Sequence, residues 1–301
     1  MDRTFSYDDV LASSQRATWQ LDDVLPPDAE LDFSRPFLPE ALARTAHSGL
    51  ASGECLVLNQ IRGHEYLALF GLVEEFILPF VLDHARPLLN GDDHRVRALL
   101  QFAGEEAKHI HLFRRFAATF RRGFGEHCPV IGPAEDIGRA VLAHRPLSVA
   151  LAILHIEWMT QAHYLESVRG DREIEARFRS LLRHHWMEEA QHARIDTLMV
   201  EALAENLDAD EIEAGFSGYL DIVRFLDCGL AEQSKMNIAV LEGRVGALPP
   251  AARDDLTRQQ YQASRWTFLG SGMAHPRFRQ TLARLSPDFM DRLDEIAPAY
   301  C

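Results

Sequence analysis

The chain has 301 residues, of which 47% are hydrophobic and 25% are charged. This composition is that of an ordinary globular protein with a large core. Thirty-one Lys and Arg against forty-five Asp and Glu give a net charge of −14, which repels nucleic-acid phosphates and anionic lipid surfaces. We therefore expect neither a nucleic-acid partner nor a membrane partner.

The start of the sequence and the placement of its cysteines both favour a cytoplasmic protein. No segment approaches the ~20 apolar residues that span a bilayer, and the first residues lack the cationic and apolar regions of a signal peptide. Cys55, Cys128, Cys228 and Cys301 lie far apart, without a CxxC pair, so neither a disulfide framework nor a thiolate zinc site is indicated. We expect a cytoplasmic protein. Its fourteen histidines are unusual, and we interpret most of them as solvated or capping residues.

Helical periodicity dominates the chain, and short Pro/Gly breaks separate the helical segments. The sequence predicts a single all-α domain over residues 1–301, with an irregular arm at 1–38. Helices are predicted at about 39–48, 52–86, 92–122, 134–144, 147–169, 171–205, 208–244, 250–270 and 276–297. The four long helices between 52 and 205 have short connections, which favours an antiparallel four-helix bundle. Helices over 208–301 are expected to cap this bundle or to form a homodimer contact through residues such as Leu220 and Phe225.

Two of the long helices carry the same five-residue motif, EExxH. The first copy runs from Glu105 to His109 and the second from Glu188 to His192. A Glu and a His three residues apart lie on one helix face, where they can offer a carboxylate and an imidazole to one metal ion. Composition alone predicts roughly a tenth of one such match. Two matches therefore indicate a metal-binding pattern.

The motif belongs to a longer repeat. Glu106 and Glu189 are 83 residues apart, and Glu74 and Glu157, on the other two long helices, have the same separation. This register indicates an internal duplication. One Glu from each of two helices plus ExxH from the other two is the ligand set of dinuclear carboxylate bundles. Carboxylate and imidazole donors in this number suit iron or manganese better than zinc.

Helix phase decides which carboxylates face inward. Glu157 shares its face with apolar residues, and Glu74 lies opposite the charged side of its helix. That helix is apolar nearly all round, however, so Glu75 remains an alternative to Glu74 as a ligand.

A third histidine lies on the same stripe. His185 precedes Glu189 by four residues, so it faces the same side as Glu189 and His192 and adds an imidazole. We expect carboxylates around the ligands at Glu105, Glu188 and Asp196. Glu105 and Glu188 would each accept a hydrogen bond from the histidine of the opposite half. Neighbouring aromatic residues are expected to form core and cavity wall, namely Phe102, Phe113, Phe116, Tyr164, Phe178 and Trp186. The predicted metal ligands are Glu74, Glu106, His109, Glu157, His185, Glu189 and His192.

This pattern resembles the ferritin-like di-iron amine N-oxygenases of the p-aminobenzoate N-oxygenase type. The family has the same Glu and ExxH set and an extra histidine one turn before the second ExxH, here His185-Trp-Met-Glu-Glu189-Ala-Gln-His192. The segments Ser13–Trp19 and Phe268–Phe278 are also similar to that family, so the likeness covers most of the chain.

The resemblance implies a ferritin-like bundle holding two iron ions, with manganese as an alternative on purification. It also implies O2-dependent oxidation of a primary amine, aryl or amino-acid-like, to a hydroxylamine and onward to nitroso or nitro products through a peroxo-diferric intermediate. Electrons would come from an external reductase, because the sequence contains no flavin or nicotinamide motif.

Three alternatives remain open from the sequence. A di-iron C–H hydroxylase or desaturase shares six of the ligands but has no use for His185. A ferritin-like iron-binding protein would have no organic substrate. A helical interaction module would contain these histidines by coincidence.

Overall fold

The computed structural model describes residues 5–46, 48–91 and 93–301, and all of its regular elements within these ranges are helical. Residues 1–4 of the predicted arm, His47 of the first predicted helix and Asp92 at the start of the third lie outside the described residues. The thirteen α-helices of the described ranges are α1 Tyr7–Ser14, α2 Leu21–Val24, α3 Glu40–Ala43, α4 Ser52–Ala85, α5 Asp93–Phe124, α6 Ala134–Leu142, α7 Pro146–Ala162, α8 Ala176–Ala204, α9 Ala209–Val245, α10 Pro250–Arg265, α11 Ser271–Ala274, α12 Pro276–Leu285 and α13 Asp288–Ile296.

Four long helices form the bundle. α4 packs along α5, α7 packs along α8, and α5 meets α8 to close the arrangement. α7 is buried almost throughout, because its residues are apolar on every face and α9 covers the side that the bundle leaves open. The predicted all-α class and four-helix bundle are confirmed. Within the described ranges, every helix is too short or too polar to cross a bilayer.

Two helices continue as π-helical segments. α7 extends through His163–Val168, and α10 extends through Trp266–Gly270. A π segment admits an extra residue per turn and is frequent near functional sites. The first segment also contacts α8, and the second also contacts α11.

The N-terminal arm differs from the prediction. Tyr7–Ser14 is a helix capped by Ser6, whose hydroxyl accepts a hydrogen bond from the Asp9 amide. Tyr7, Val10 and Leu11 are buried in the bundle core, where α1 lies against α5 and α8. The arm is therefore docked on the bundle, although the sequence predicted no regular structure there.

Three predicted helix boundaries were wrong for local reasons. α3 ends at Ala43 because Arg44 adopts a left-handed conformation with φ 49°. α8 begins only at Ala176, because the Asp171 carboxylate accepts hydrogen bonds from the amides of Glu173 and Ile174 and holds a turn there. The last predicted helix divides into α12 and α13, since Ser286 leaves the helical conformation just before Pro287.

The C-terminal helices cap the bundle. Leu220, Ile222 and Val223 of α9 are buried within the chain, and α9 approaches α7 so closely that a Cβ at Gly215 would lie 2.6 Å from Leu147. Much of the apolar surface expected on this helix is thus buried within the chain, although Phe225 is 42% exposed.

Candidate metal centre

The four bundle helices bring all seven predicted ligand residues into the interior. Each of the seven side chains is buried. α4 contributes one, α5 two, α7 one and α8 three, namely Glu74, then Glu106 and His109, then Glu157, then His185, Glu189 and His192.

Four of these side chains form a first group. One donor atom from each of Glu74, His109, His185 and Glu189 lies within 4.8 Å of the others. His185 Nε2 is 3.0 Å from Glu74 Oε1 and 3.1 Å from Glu189 Oε1. His109 Nδ1 is 3.0 Å from Glu189 Oε1 and 3.7 Å from Glu74 Oε1. Donors from three helices thus converge within the span of one coordination sphere.

A second group shares two members with the first. Glu106, His109, Glu189 and His192 also present donor atoms within 4.8 Å of one another. His192 Nδ1 lies 2.8 Å from Glu106 Oε1 and 3.2 Å from Glu189 Oε1. Because His109 and Glu189 belong to both groups, the two are adjacent, as positions for a pair of ions would be.

Glu157 lies just outside these two groups. Its carboxyl group hydrogen-bonds to Glu189, the carboxylate common to both. The structure therefore brings six predicted ligands into two overlapping groups and places the seventh in contact with their shared member.

The structure separates Glu74 from Glu75. Glu74 is buried in the first group, whereas the Glu75 side chain is 34% exposed and its Oε1 lies 2.7 Å from Arg114 Nη2. Glu75 thus has a partner at the surface, and Glu74 is the inward residue of the pair.

Buried polar atoms without hydrogen bonds show whether these residues could coordinate a metal. Buried polar atoms normally have a partner, because an unpaired one loses solvation without compensation. Here six of the seven side chains have a buried atom without a hydrogen bond: Glu74 Oε2, both Glu106 oxygens, His109 Nδ1, Glu157 Oε2, Glu189 Oε1 and His192 Nδ1. Cations would use these lone pairs, so the donor set fits a dinuclear site.

Outer carboxylates hold the two motif histidines in place. His109 Nε2 lies 2.8 Å from Glu188, and His192 Nε2 lies 2.9 Å from Glu105. A carboxylate only accepts, so each Nε2 carries a proton and each Nδ1 faces the cluster. The expected pairing between opposite halves is present.

Residues of the arm and of the first motif complete this outer layer. Ser14 of α1 donates its hydroxyl hydrogen to Glu105. Lys108 pairs with Glu188 and lies 3.9 Å from the centre of the Trp19 ring, which is stacked 5.9 Å from the His109 ring. Sequence reasoning did not assign these three residues. The position of Lys108 inside the first EExxH motif, beside His109, was the available signal.

Charge in the cluster is distributed unevenly. Burial raises the pKa of Glu74 and Glu157 well above the usual range for a carboxyl group. Burial opposes a charged imidazole too, but the hydrogen bond to Glu188 and the negative charge of Glu189 raise the pKa of His109 to about 9. The positive charges of His185 and His192 outweigh burial at Glu189 and hold its pKa well below the usual range. Asp196 is buried nearby, and burial raises its pKa as well.

Aromatic side chains surround the histidines. The Phe102 ring is stacked on His192, with 4.1 Å between ring centres, and the rings of Phe113 and Phe70 lie 5.0 and 5.7 Å from His185. The six aromatic residues proposed from the sequence pack in the core or against it. They do not line the neighbouring apolar cavity, whose aromatic residues are instead Phe70, Phe225 and Phe268.

Comparisons with known proteins give structural likeness only. No protein-family model matches this sequence, and no curated protein matches it. The structure is similar to variants of an R2-like ligand-binding oxidase. One with an aerobically reconstituted Fe/Fe cofactor has a TM-score of 0.49 and 16% identity, covering 92% of this chain and 94% of that one. Another, with an aerobically reconstituted Mn/Fe cofactor, has a TM-score of 0.48 and 14% identity, covering 88% and 94%. The candidate metal site is therefore described from the geometry of this chain's own residues.

Proposed function

We propose that this chain is a dinuclear, O2-dependent oxygenase that oxidises a primary amine. The observation that carries the proposal is the pair of overlapping donor groups that share His109 and Glu189. Glu74, Glu106, His109, Glu157, Glu189 and His192 would hold two iron ions, with His185 as an additional donor. Carboxylate oxygens with imidazole nitrogens also accept manganese.

The bound ions would supply the electrons that reduce dioxygen. The net reaction joins the amine R–NH2, O2, two electrons and two protons to give the hydroxylamine R–NHOH and water. An external reductase is the proposed electron source. Further oxidations, each using one O2 and two electrons, would lead to nitroso and nitro products.

The chain's own residues have distinct parts in this chemistry. Glu105 and Glu188 fix the tautomer and orientation of the two motif histidines through their Nε2 protons. Four carboxylates would balance the four positive charges of two ferrous ions inside an apolar bundle. His185 adds a neutral donor without changing this balance.

Product analysis tests the proposal. Ferrous-loaded protein is given 18O2, a chemical reductant and a panel of primary amines, and products are identified by mass spectrometry. We expect one labelled oxygen on nitrogen in the first product. Ferrous-loaded protein that oxidises none of the amines would contradict an N-oxygenase.

The extra histidine has a matched control. His184 is adjacent, but its Nδ1 bonds to the Ser180 carbonyl and it lies outside both donor groups. We expect His185→Ala to lose amine oxidation and His184→Ala to keep it. Unimpaired oxidation and normal iron loading in His185→Ala would remove its assigned role.

A C–H hydroxylase is the second candidate, because the cavity beside the site has an apolar lining. The same assay separates the two functions when each amine is paired with its hydrocarbon counterpart. Labelled oxygen on carbon, with the amine nitrogen unchanged, would favour hydroxylation.

A further inference from the structure

An apolar cavity of about 310 Å³ lies on the side of the bundle that α9 covers. Its wall comes from α4, residues 131–137, α7, α9 and the π segment after α10, with Leu72, Val73, Met159, Leu230 and Phe268 among the lining residues. An engineered protein cavity of about 150 Å³ holds one benzene molecule. This space therefore suits a ligand of roughly two-ring size.

Among the residues that the structure describes, none with a cationic side chain lines this cavity. Cys228 and Glu232, both exposed residues of α9, are its two polar members. Glu232 is already paired with Lys235, 2.6 Å away. Nothing in the wall would therefore compensate the buried charge of a carboxylate, and an unpaired buried charge is strongly disfavoured.

Phe70 connects the cavity to the metal centre. Its ring lines the cavity and also lies 5.7 Å from the ring of His185. Val73 and Ile156, which line the same space, directly precede the candidate ligands Glu74 and Glu157 in the sequence. The inner end of the cavity is thus one side chain away from the donor groups.

We infer that this cavity is the substrate chamber and that it takes an aromatic amine with an uncharged apolar substituent. The inference rests on the proposed amine oxidation and specifies its substrate class. An aromatic amine is uncharged at neutral pH, whereas an alkylamine would carry a positive charge into a wall that offers no buried partner. Amino-acid-like and carboxylate-bearing amines are excluded because no cationic group in the wall would pair with their negative charge.

Alkylation of Cys228 measures occupancy of the chamber without any turnover. The full-length Cys301→Ser protein removes the other exposed thiol, and peptide mapping identifies modification at Cys228 by N-ethylmaleimide. 4-Hexylaniline at ten times its Kd should slow this modification about tenfold by mass action. 4-Aminobenzoate at the same concentration should leave the rate unchanged. Protection by 4-aminobenzoate, or no protection by 4-hexylaniline, would overturn the inference.

A filling variant locates the ligand. Leu226→Trp adds volume at a lining position, and we expect it to weaken protection by 4-hexylaniline at least tenfold. Leu100→Trp is the matched control, because Leu100 is 45% exposed on α5 and does not line the cavity. Equal protection in both variants would place the ligand elsewhere.

The two proposals fail in different ways. Protection of Cys228 by 4-hexylaniline without any N-oxidised product would retain the chamber and reject the proposed function. Oxidation of 4-aminobenzoate with no protection by apolar amines would retain the function and reject the chamber.

Discussion

Loading the centre with two divalent ions is expected to release protons, because the metal-free cluster holds protons where cations would bind. The pKa values of His109, His185 and His192 are raised above that of an ordinary histidine, since hydrogen bonds and charges from nearby glutamates outweigh burial. Burial raises the pKa of Glu74 and Glu157. Each of these shifts favours the protonated form over the form that coordinates a metal.

The size of the release follows from charge and from the donor count. Two divalent ions bring four positive charges into a buried cluster, and loss of four protons would keep its net charge unchanged. A protonated carboxyl group or imidazolium must give up one proton in order to coordinate a metal, and these five side chains are the candidates. We therefore expect about four to five protons for each pair of ions at pH 7.

Anaerobic titration calorimetry with ferrous or manganous ion measures this number. The observed enthalpy is recorded in buffers of different ionisation enthalpy, and the slope of that dependence gives the protons released. Glu74→Gln should release about one proton fewer, because an amide has none to lose. Glu75→Gln is the matched control and should behave like the parent. Release of fewer than two protons by the parent chain would refute the proton-rich cluster.

Three further predictions concern stability and the outer layer of the centre. Gly272→Ala would place a Cβ 2.2 Å from His155 Nε2, whereas a Cβ at Gly53 meets nothing within 4 Å. We expect Gly272→Ala to lower the free energy of unfolding in urea by about 1–3 kcal/mol and Gly53→Ala to leave it unchanged. Equal effects of the two substitutions would contradict the close packing. Burial lowers the pKa of His155 to about 4. Because the unfolded chain protonates this histidine below about pH 6.5, about 3 kcal/mol of stability is lost as the pH falls from 6.5 towards 4. His155→Gln should reduce that loss, and an identical pH dependence of unfolding in the variant would contradict this prediction. Ser14→Ala removes a buried donor to Glu105 and should weaken metal binding about 10- to 100-fold in competition with a chelator, and unchanged affinity would show that this contact does not support the centre.

Sequence periodicity located the candidate ligands because their pattern is local. Each EExxH motif fixes a carboxylate and an imidazole on one helix face, and the 83-residue register points to Glu74 and Glu157 on the other two helices. Packing decided what the pattern left open. Arg114 forms an ion pair with Glu75 at the surface. The two residues are 39 positions apart, so a local pattern does not reveal this contact.

The outer contacts and the cavity could not be predicted from local patterns. Ser14 reaches Glu105 across 91 residues, and the docking of α1 that makes this possible depends on tertiary packing. The cavity combines side chains from five separate parts of the chain, including Phe70, Ile131, Met159, Leu226 and Phe268. Short-range breaks also escaped the periodicity, as with the left-handed conformation of Arg44.

The two halves of the predicted duplication match at every predicted ligand except one. Eighty-three residues before His185 the chain has Phe102, whose ring covers His192 in the second donor group. The first group thus has an added imidazole where the second has a phenyl ring that cannot coordinate. We therefore expect two unequal ion positions, which would differ in affinity and in reduction potential. This asymmetry would favour stepwise filling or a mixed-metal pair.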